Sequence, residues 1–218
     1  MTRSVQYSPS SRRSGAGGIR IAVFASGRGS NLEALFETLA GRSDATIVLV
    51  CSDRPGAQAL ERARARGVEA VVLAPEDEGA MLGALERARV DWIVLAGYLK
   101  RVPSGVVRRY RNRILNVHPA LLPAHGGVGM YGERVHRAVI EAGEATSGAS
   151  VHLVDEEYDR GPVVAQESVA VLPGDTPATL AARVLEVEHR LLPAAVVAAA
   201  EGRIRIEEGR AWIEAEAR

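Results

Sequence analysis

One stretch near the start of the chain decides the fold: Ile19-Arg20-Ile21-Ala22-Val23-Phe24-Ala25-Ser26-Gly27-Arg28-Gly29-Ser30-Asn31-Leu32-Glu33. Its first six residues have the length and apolar composition of a buried strand. The glycines that follow allow a sharp turn. Ser30 and Glu33 have the spacing of a capping box, which predicts that Ser30 caps a helix. The stretch is therefore typical of a strand-turn-helix unit.

The same alternation continues along the first half of the chain. We predict strands at 19–24, 45–51, 70–73, 92–95 and 114–117, and helices at about 31–40, 57–66, 78–89 and 104–110. The second half is less regular, with helices predicted at 133–142 and 177–200, strands at 150–154 and 163–171, and a hairpin from 203–206 and 211–213. This order predicts an α/β, Rossmann-like fold with a mostly parallel central sheet and helices on both faces.

The composition narrows the class of protein. With 218 residues, 47% hydrophobic and 25% charged, the chain suits one domain. Its 27 basic and 27 acidic residues cancel, which argues against nucleic-acid and membrane-surface binding. The single Cys51 excludes a disulfide framework or a cysteine zinc site and favours a reduced, cytoplasmic setting.

The chain has no apolar run of about 18 residues that could span a bilayer. Residues 1–18 are rich in Ser, Arg and Gly, which predicts a disordered leader before a single domain at 19–218. An organellar transit peptide is the alternative interpretation of that leader.

The turn around Gly27 and Gly29 indicates an anion site. Free backbone amides at a helix N-terminus suit a phosphate group. The third glycine of a dinucleotide-binding turn is missing, so a nicotinamide cofactor is a weaker prediction than a phosphomonoester. A tight turn that binds nothing is the remaining alternative.

A second stretch carries candidate catalytic chemistry: Asn116-Val117-His118-Pro119-Ala120-Leu121-Leu122-Pro123. In a strand, the period of two turns the side chains of Asn116 and His118 to the same face. An amide donor beside an imidazole donor can stabilise a developing oxyanion. Asp159 lies in an acidic turn; alone it would be structural, but near this pair it would orient the imidazole and raise its pKa.

The other histidines give no metal-binding pattern, so we expect no metal site. We interpret His136 as a surface or packing residue of a helix and His152 as a core histidine of a strand. Ser147 and Ser150 lack the context of a hydrolase nucleophile.

Five motifs occur in order between residues 19 and 193: Ser26-Gly27-Arg28-Gly29-Ser30-Asn31-Leu32, Leu95-Ala96-Gly97-Tyr98, the stretch from Asn116 to Pro123, Gly148-Ala149-Ser150-Val151-His152 and Tyr158-Asp159-Arg160-Gly161-Pro162. Glu188-His189 follows them. Together they resemble the folate-dependent formyltransferases, in particular the phosphoribosylglycinamide formyltransferases of purine synthesis.

The resemblance implies formyl transfer from 10-formyltetrahydrofolate, as cosubstrate, to the amine of glycinamide ribonucleotide, without a metal. It implies that Asn116, His118 and Asp159 are the catalytic trio. It places Gly29, Ser30, Asn31 and Glu188 at the ribonucleotide. It places Leu99, Lys100, Arg101, Val102, Asn116, Asp155 and Asp159 at the folate, where 155–159 closes over the pterin. The expected partners are these small molecules, with no nucleic acid or membrane, for a monomer or homodimer.

The chain departs from the family pattern in three places. The family commonly has Phe-x-x-Arg after the third strand, with the Arg serving ligand contacts, whereas Ala74-Pro75-Glu76-Asp77-Glu78-Gly79 is shortened and acidic. Leu185 stands where Lys or Gln often assists substrate binding. Residues 126–132 form a glycine-rich variant loop.

Three alternatives to this activity remain. Methionyl-tRNA formyltransferase shares the Asn-x-His element but normally has a further C-terminal domain and a basic surface. Formyltetrahydrofolate hydrolase uses water as the acceptor and usually has an N-terminal regulatory domain. A non-catalytic folate- or nucleotide-binding module is the alternative from another class.

Overall fold

A computed structural model describes residues 18–215 of the chain. The leader predicted for residues 1–18 lies, apart from Gly18, outside the described residues. The first half contains β1 (Ile19–Phe24), α1 (Ser30–Leu39), β2 (Ala45–Ser52), α2 (Gln58–Ala65), β3 (Glu69–Val72), α3 (Glu78–Arg87), β4 (Trp92–Leu95), α4 (Ser104–Arg109) and β5 (Ile114–His118). The second half contains α5 (Glu133–Glu141), β6 (Thr146–Leu153), β7 (Val163–Ala170), α6 (Pro177–Ala200), β8 (Ile204–Glu207) and β9 (Arg210–Ile213).

The central sheet of the described residues has seven strands in the order β3-β2-β1-β4-β5-β6-β7. The first five run parallel, and β6 pairs antiparallel with both β5 and β7. The prediction of a mostly parallel α/β sheet is therefore confirmed. The strand order changes direction between β1 and β4, and the carboxyl ends of strands at such a switch point are where ligands bind in open α/β sheets.

Helices cover both faces of the sheet, as predicted. Along β1, Ile21 and Val23 face one apolar cluster, whereas Ala22 and Phe24 face another. The first cluster includes residues of α1, α2, α5 and α6, and the second includes residues of α3 and α4. A strand buried on both faces reads as a continuous apolar run, which is why β1 was recognisable in the sequence.

The predicted capping box at α1 is wrong. Gly29 occupies the N-cap position with a φ of 75°, and no side chain caps the helix. The carboxylate of Glu33 instead pairs with Arg62, at 2.7 Å, and with Arg66. A Cβ at position 29 would lie 2.9 Å from the Cα of Ala59, so both the backbone angle and the close approach of α2 require glycine there.

β6 begins four residues before the predicted start at Ser150. Residues Thr146 to Ala149 pair with the end of β7, although their small and polar side chains give no apolar run. Across residues 18–215, no helix is both long and apolar enough to cross a membrane.

Candidate active site

A cavity of about 980 Å³ opens at the carboxyl ends of the central strands. Asn116, His118 and Asp159 all line it, although Asp159 is 41 residues beyond His118 in the chain. The structure thus brings the three candidate catalytic residues together in one concave site.

β5 supplies Asn116 and His118. Across the antiparallel ladder, Asn116 is opposite His152 and His118 is opposite Ser150 on β6. Nε2 of His118 donates to the backbone carbonyl of His125 at 2.8 Å. Because that carbonyl can only accept, Nε2 carries a proton, and Nδ1 is the nitrogen at which a second proton adds.

The Asp159 carboxylate lies between two histidines. Its Oδ2 is 3.5 Å from Nδ1 of His118, and its Oδ1 is 3.4 Å from Nε2 of His152. The Gly127 amide donates to Oδ2 at 2.9 Å. Burial raises the pKa of Asp159, but the neighbouring imidazoles and the Gly127 amide outweigh that effect, so the net pKa lies below the ordinary value. Asp159 is therefore an anion at neutral pH.

The pKa of His118 moves in the direction opposite to the one predicted. Burial lowers it, and the negative charge of Asp159 and the His125 carbonyl raise it only in part. Asp159 has the expected sign of effect, but the loss of hydration around a side chain that is only 3% exposed is larger. The site therefore holds a neutral His118 imidazole, and the neighbouring Asp159 carboxylate can stabilise the imidazolium that forms when Nδ1 is protonated.

His152 is buried with both ring nitrogens hydrogen-bonded, as interpreted for a core histidine, and it also belongs to this cluster. Its Nδ1 donates to the Leu153 carbonyl at 3.0 Å, which leaves Nε2 to accept from the Asn116 amide at 2.9 Å. This bond uses one amide hydrogen of Asn116 and leaves the other for a ligand. The sequence contained one signal for this position, the motif Gly148-Ala149-Ser150-Val151-His152. The contact of His152 with Asn116 depends on the register between β5 and β6, which that motif does not reveal.

His136 is also closer to the site than predicted. It is buried on α5 and lines the cavity, and its Nδ1 has no hydrogen-bond partner among residues 18–215. Burial lowers the pKa of His136 and the neighbouring His118 lowers it further. A neutral imidazole therefore borders the cavity at this position.

Glu188 and the start of α1 lie side by side. The Asn31 amide donates to Oε2 of Glu188 at 2.6 Å. Burial raises the pKa of Glu188, and this bond only partly opposes the shift. Glu188 lines the cavity, but Gly29, Ser30 and Asn31 do not. Arg28, the residue just before them in the chain, does line it. The structure thus places the predicted phosphate loop beside the cavity wall rather than in it.

The amides at the start of α1 remain oriented for an anion. The first hydrogen bond of the helix runs from the Glu33 amide to the Gly29 carbonyl at 3.0 Å, so the amides of residues 30–32 precede it. Such amides form the positive end of the helix dipole. Ser30 also borders a smaller pocket of about 280 Å³ beside Arg62 and His189.

The segment predicted to contact folate also lines the cavity wall. Leu99, Lys100, Arg101 and Val102 follow β4, and all four line the cavity. The Leu99 amide donates to Oγ of Ser26 at 2.9 Å, which ties this segment to the loop after β1. Arg101 donates to the Glu156 carbonyl at 2.6 Å and so connects the segment to residues 155–159, where Asp155 also borders the cavity. Within the part of the chain that the structure describes, no group of three acidic, histidine or cysteine side chains could hold a metal ion.

Known proteins resemble this chain over nearly all of the described residues. The family description "Formyl transferase" matches residues 19–196. The chain is 41% identical over 198 residues to "Phosphoribosylglycinamide formyltransferase, chloroplastic" of Arabidopsis thaliana, covering 87% of this chain and 68% of that protein. It is 33% identical over 204 residues to phosphoribosylglycinamide formyltransferase of Escherichia coli (strain K12), covering 90% of this chain and 94% of that one.

A solved structure agrees with these relatives. The crystal structure of glycinamide ribonucleotide transformylase 1 from Symbiobacterium toebii has a TM-score of 0.84 and 39% identity, and the match covers 91% of this chain and 95% of that one. The resemblance seen in the five motifs is therefore confirmed. The chain belongs to the formyl transferase family.

Proposed function

We propose that this protein transfers the formyl group of 10-formyltetrahydrofolate to the amine of 5-phosphoribosylglycinamide in purine biosynthesis. The observation that carries the proposal is the convergence of Asn116, His118 and Asp159 on one cavity in a member of this family. The cavity is large enough for two ligands to meet, and proximity of two bound reactants supplies much of the rate in such transfers.

The first step is attack of the neutral amine on the formyl carbon. A bond forms between nitrogen and carbon while the carbonyl electron pair moves onto oxygen. The amide hydrogen of Asn116 that is not bonded to His152 donates to that oxygen. The N–H at Nε2 of His118 leaves the His125 carbonyl and donates to the same oxygen. These two donors stabilise the oxyanion of the tetrahedral intermediate.

Proton transfer completes the reaction. The attacking amine loses a proton, and N10 of the folate gains one as its bond to the formyl carbon breaks. Asp159, an anion beside Nδ1 of His118, stabilises the imidazolium and relays the proton through water. His118 starts neutral, so it can take up the proton that the amine releases. This scheme uses no metal and forms no covalent bond between the enzyme and the formyl group.

The two ligands occupy different parts of the wall. We infer that the ribonucleotide lies near Glu188 and the α1 N-terminus, where Gly29, Ser30 and Asn31 supply backbone amides beside the cavity. We infer that the folate lies against Leu99, Lys100, Arg101 and Val102, with residues 155–159 over the pterin and Asn116 and Asp159 at the formyl group.

The test is a mixed incubation of the purified protein with 10-formyltetrahydrofolate and glycinamide ribonucleotide. We expect deformylated folate, followed by absorbance, and formylated ribonucleotide, followed by mass spectrometry, to appear in equal amounts. Loss of the formyl group at the same rate without the amine would identify a hydrolase instead. Binding of both compounds without turnover would identify a binding module. The Asn116→Ala/His118→Ala double variant is the matched control for adventitious chemistry.

We further infer a reduced, cytoplasmic setting and a monomer or homodimer that acts on small molecules. Cys51 is free and buried, and burial raises the pKa of its thiol, so it is unreactive. Light scattering after gel filtration measures the oligomeric state directly. A mass above that of a dimer contradicts this part of the proposal.

A further inference from the structure

Two ligand-binding side chains that the family resemblance predicts are absent from this chain: the Arg of Phe-x-x-Arg, and the Lys or Gln in place of Leu185. The acidic residues that replace Phe-x-x-Arg serve packing: Asp77 accepts from the Ala80 amide at 2.8 Å to cap α3, and Glu78 accepts from the Gly105 amide at 2.7 Å at the start of α4. Leu185 contributes only an apolar side chain to the wall. A phosphate monoester carries up to two negative charges, so helix-terminal amides alone leave much of that charge unmatched.

Arg28 is the first cation that could compensate. It lies in the glycine turn before α1 and lines the cavity. Arg62 donates to its backbone carbonyl at 2.9 Å, and Gly29 is confined by Ala59, so the backbone that carries Arg28 is held in place. Within residues 18–215 no carboxylate pairs with its guanidinium.

Arg134 is the second cation that could compensate for the phosphate charge. It lies in the first turn of α5, and its guanidinium carbon stacks 5.1 Å from the ring centroid of Tyr131. Both side chains line the cavity and belong to or adjoin the glycine-rich loop 126–132. Among the described residues no carboxylate pairs with Arg134 either, although Glu133 is its neighbour in sequence.

Other arginines on α2 and α6 do have carboxylate partners. Arg62 and Arg66 share the carboxylate of Glu33, and Arg183 pairs with Asp175 at 2.7 Å. An arginine whose planar donors remain free in a ligand cavity is suited to bidentate recognition of phosphate. Stacking on Tyr131 limits the rotamers of Arg134 and reduces the entropy lost when it binds.

We propose that Arg28 and Arg134, the latter oriented by Tyr131, bind the phosphate of the acceptor ribonucleotide together with the amides at the α1 N-terminus. They supply the polar contact to substrate that Leu185 cannot make. The inference rests on the proposed function for the identity of the acceptor, but the phosphate subsite is a property of binding and can be measured without turnover.

The experiment compares the full-length protein with Arg28→Gln, Arg134→Gln and the double variant by calorimetric titration. The ligands are glycinamide ribonucleotide and the same riboside without its phosphate. Each single change should weaken ribonucleotide binding about 10- to 100-fold, which is the loss expected for charge-assisted hydrogen bonds. Riboside binding should stay within about twofold, because the removed groups contact only the phosphate.

Arg137→Gln is the matched control, because Arg137 is an exposed arginine on the same helix that does not line the cavity. It should leave both affinities unchanged. Thermal unfolding of every variant excludes loss of the fold as the cause. The inference is overturned if the double variant binds the ribonucleotide as the parent does, or if both ligands weaken equally.

The same titrations separate this inference from the proposed function. If the parent binds the ribonucleotide through its phosphate, the variants lose this binding and the parent does not formylate the ribonucleotide, the phosphate subsite is supported and the proposed activity is refuted. Formylation of the ribonucleotide by a parent that binds the riboside equally well overturns the subsite and retains the activity. Binding of neither ligand overturns both.

Discussion

Nδ2 of Asn116 lies 2.9 Å from Nε2 of His152, and the two residues face each other across the antiparallel pair β5–β6. The second nitrogen of His152 is occupied by the Leu153 carbonyl, so the orientation of the ring is fixed. The bond therefore fixes which amide hydrogen of Asn116 is free for the substrate. We therefore expect His152 to act as a positioning residue for Asn116, the proposed oxyanion donor.

Replacement of His152 by Phe should lower kcat about tenfold or more while KM for the ribonucleotide changes less, since a misplaced donor acts mainly on the transition state. Steady-state kinetics of His152→Phe, Asn116→Ala and the double variant form the test. If His152 acts through Asn116, the double variant is no slower than Asn116→Ala alone. Strictly additive losses would show an independent role.

Replacement of His118 by Ala should lower kcat by about 10²- to 10⁴-fold, the range for a general acid–base or oxyanion group. Ribonucleotide affinity should remain close to that of the parent, because Glu188 and the α1 N-terminus lie on different elements. Single-turnover kinetics and calorimetry measure the two quantities separately. A large loss of affinity with little loss of kcat would assign His118 to binding.

Replacement of Asp159 by Asn should lower the pKa of His118 still further. The carboxylate is the group that raises this pKa against the larger effect of burial, so removing its charge leaves burial less opposed. NMR titration of the histidine ring resonances measures the shift directly. The pH–rate profile should shift or flatten as well, and an unchanged profile with an unchanged His118 pKa removes Asp159 from the catalytic trio.

Replacement of Glu188 by Gln should stabilise the fold at alkaline pH. The folded-state pKa of Glu188 is raised, so the stability it contributes in the protonated form is lost as pH rises through that pKa. Gln keeps an oxygen for the Asn31 amide but does not ionise. We expect a Tm higher by about 2–4 °C at about pH 8, and a difference that shrinks near the ordinary glutamate pKa of about 4.3.

Thermal unfolding across this pH range provides the measurement. A Tm difference that stays constant with pH would mean that ionisation of Glu188 is not its cause. The same variant should bind the ribonucleotide more weakly, because the carboxylate lines its part of the cavity.

Replacement of Ser150 by Ala should destabilise the turn after β5. The buried Ser150 hydroxyl donates to the Ala120 carbonyl at 2.6 Å and accepts from the Leu122 amide at 3.0 Å and from Gln166 at 2.8 Å. Leaving buried donors unpaired costs about 1–3 kcal/mol of unfolding free energy. Urea denaturation measures it, with the exposed Ser168→Ala on β7 as the control. Equal unfolding free energies in the two variants would contradict this assignment.

The sequence predicted the features that depend on local pattern. β1 and β4 were visible as apolar runs, and the two-residue period of β5 predicted that Asn116 and His118 share a face. Features set by distant partners were not predictable in this way. Glu33 did not form the capping box because it pairs with Arg62 and Arg66 of α2, and the first half of β6 has no pattern apart from its pairing with β7.

The histidines show the same difference between features set by local pattern and features set by distant partners. His152 was assigned to the core because its flanking residues are apolar, and only the register with β5 brings it to Asn116. The net direction of the His118 pKa depended on the depth of burial, which no local motif encodes.

The excursion between β5 and β6 joins chemistry to recognition. Its His125 carbonyl accepts from Nε2 of His118, and its Gly127 amide donates to Oδ2 of Asp159. The same excursion carries Tyr131, which lines the cavity. A change in the length or sequence of residues 126–132 should therefore alter the chemical step and ligand binding together, so this loop and the β5–β6 ladder form one functional unit.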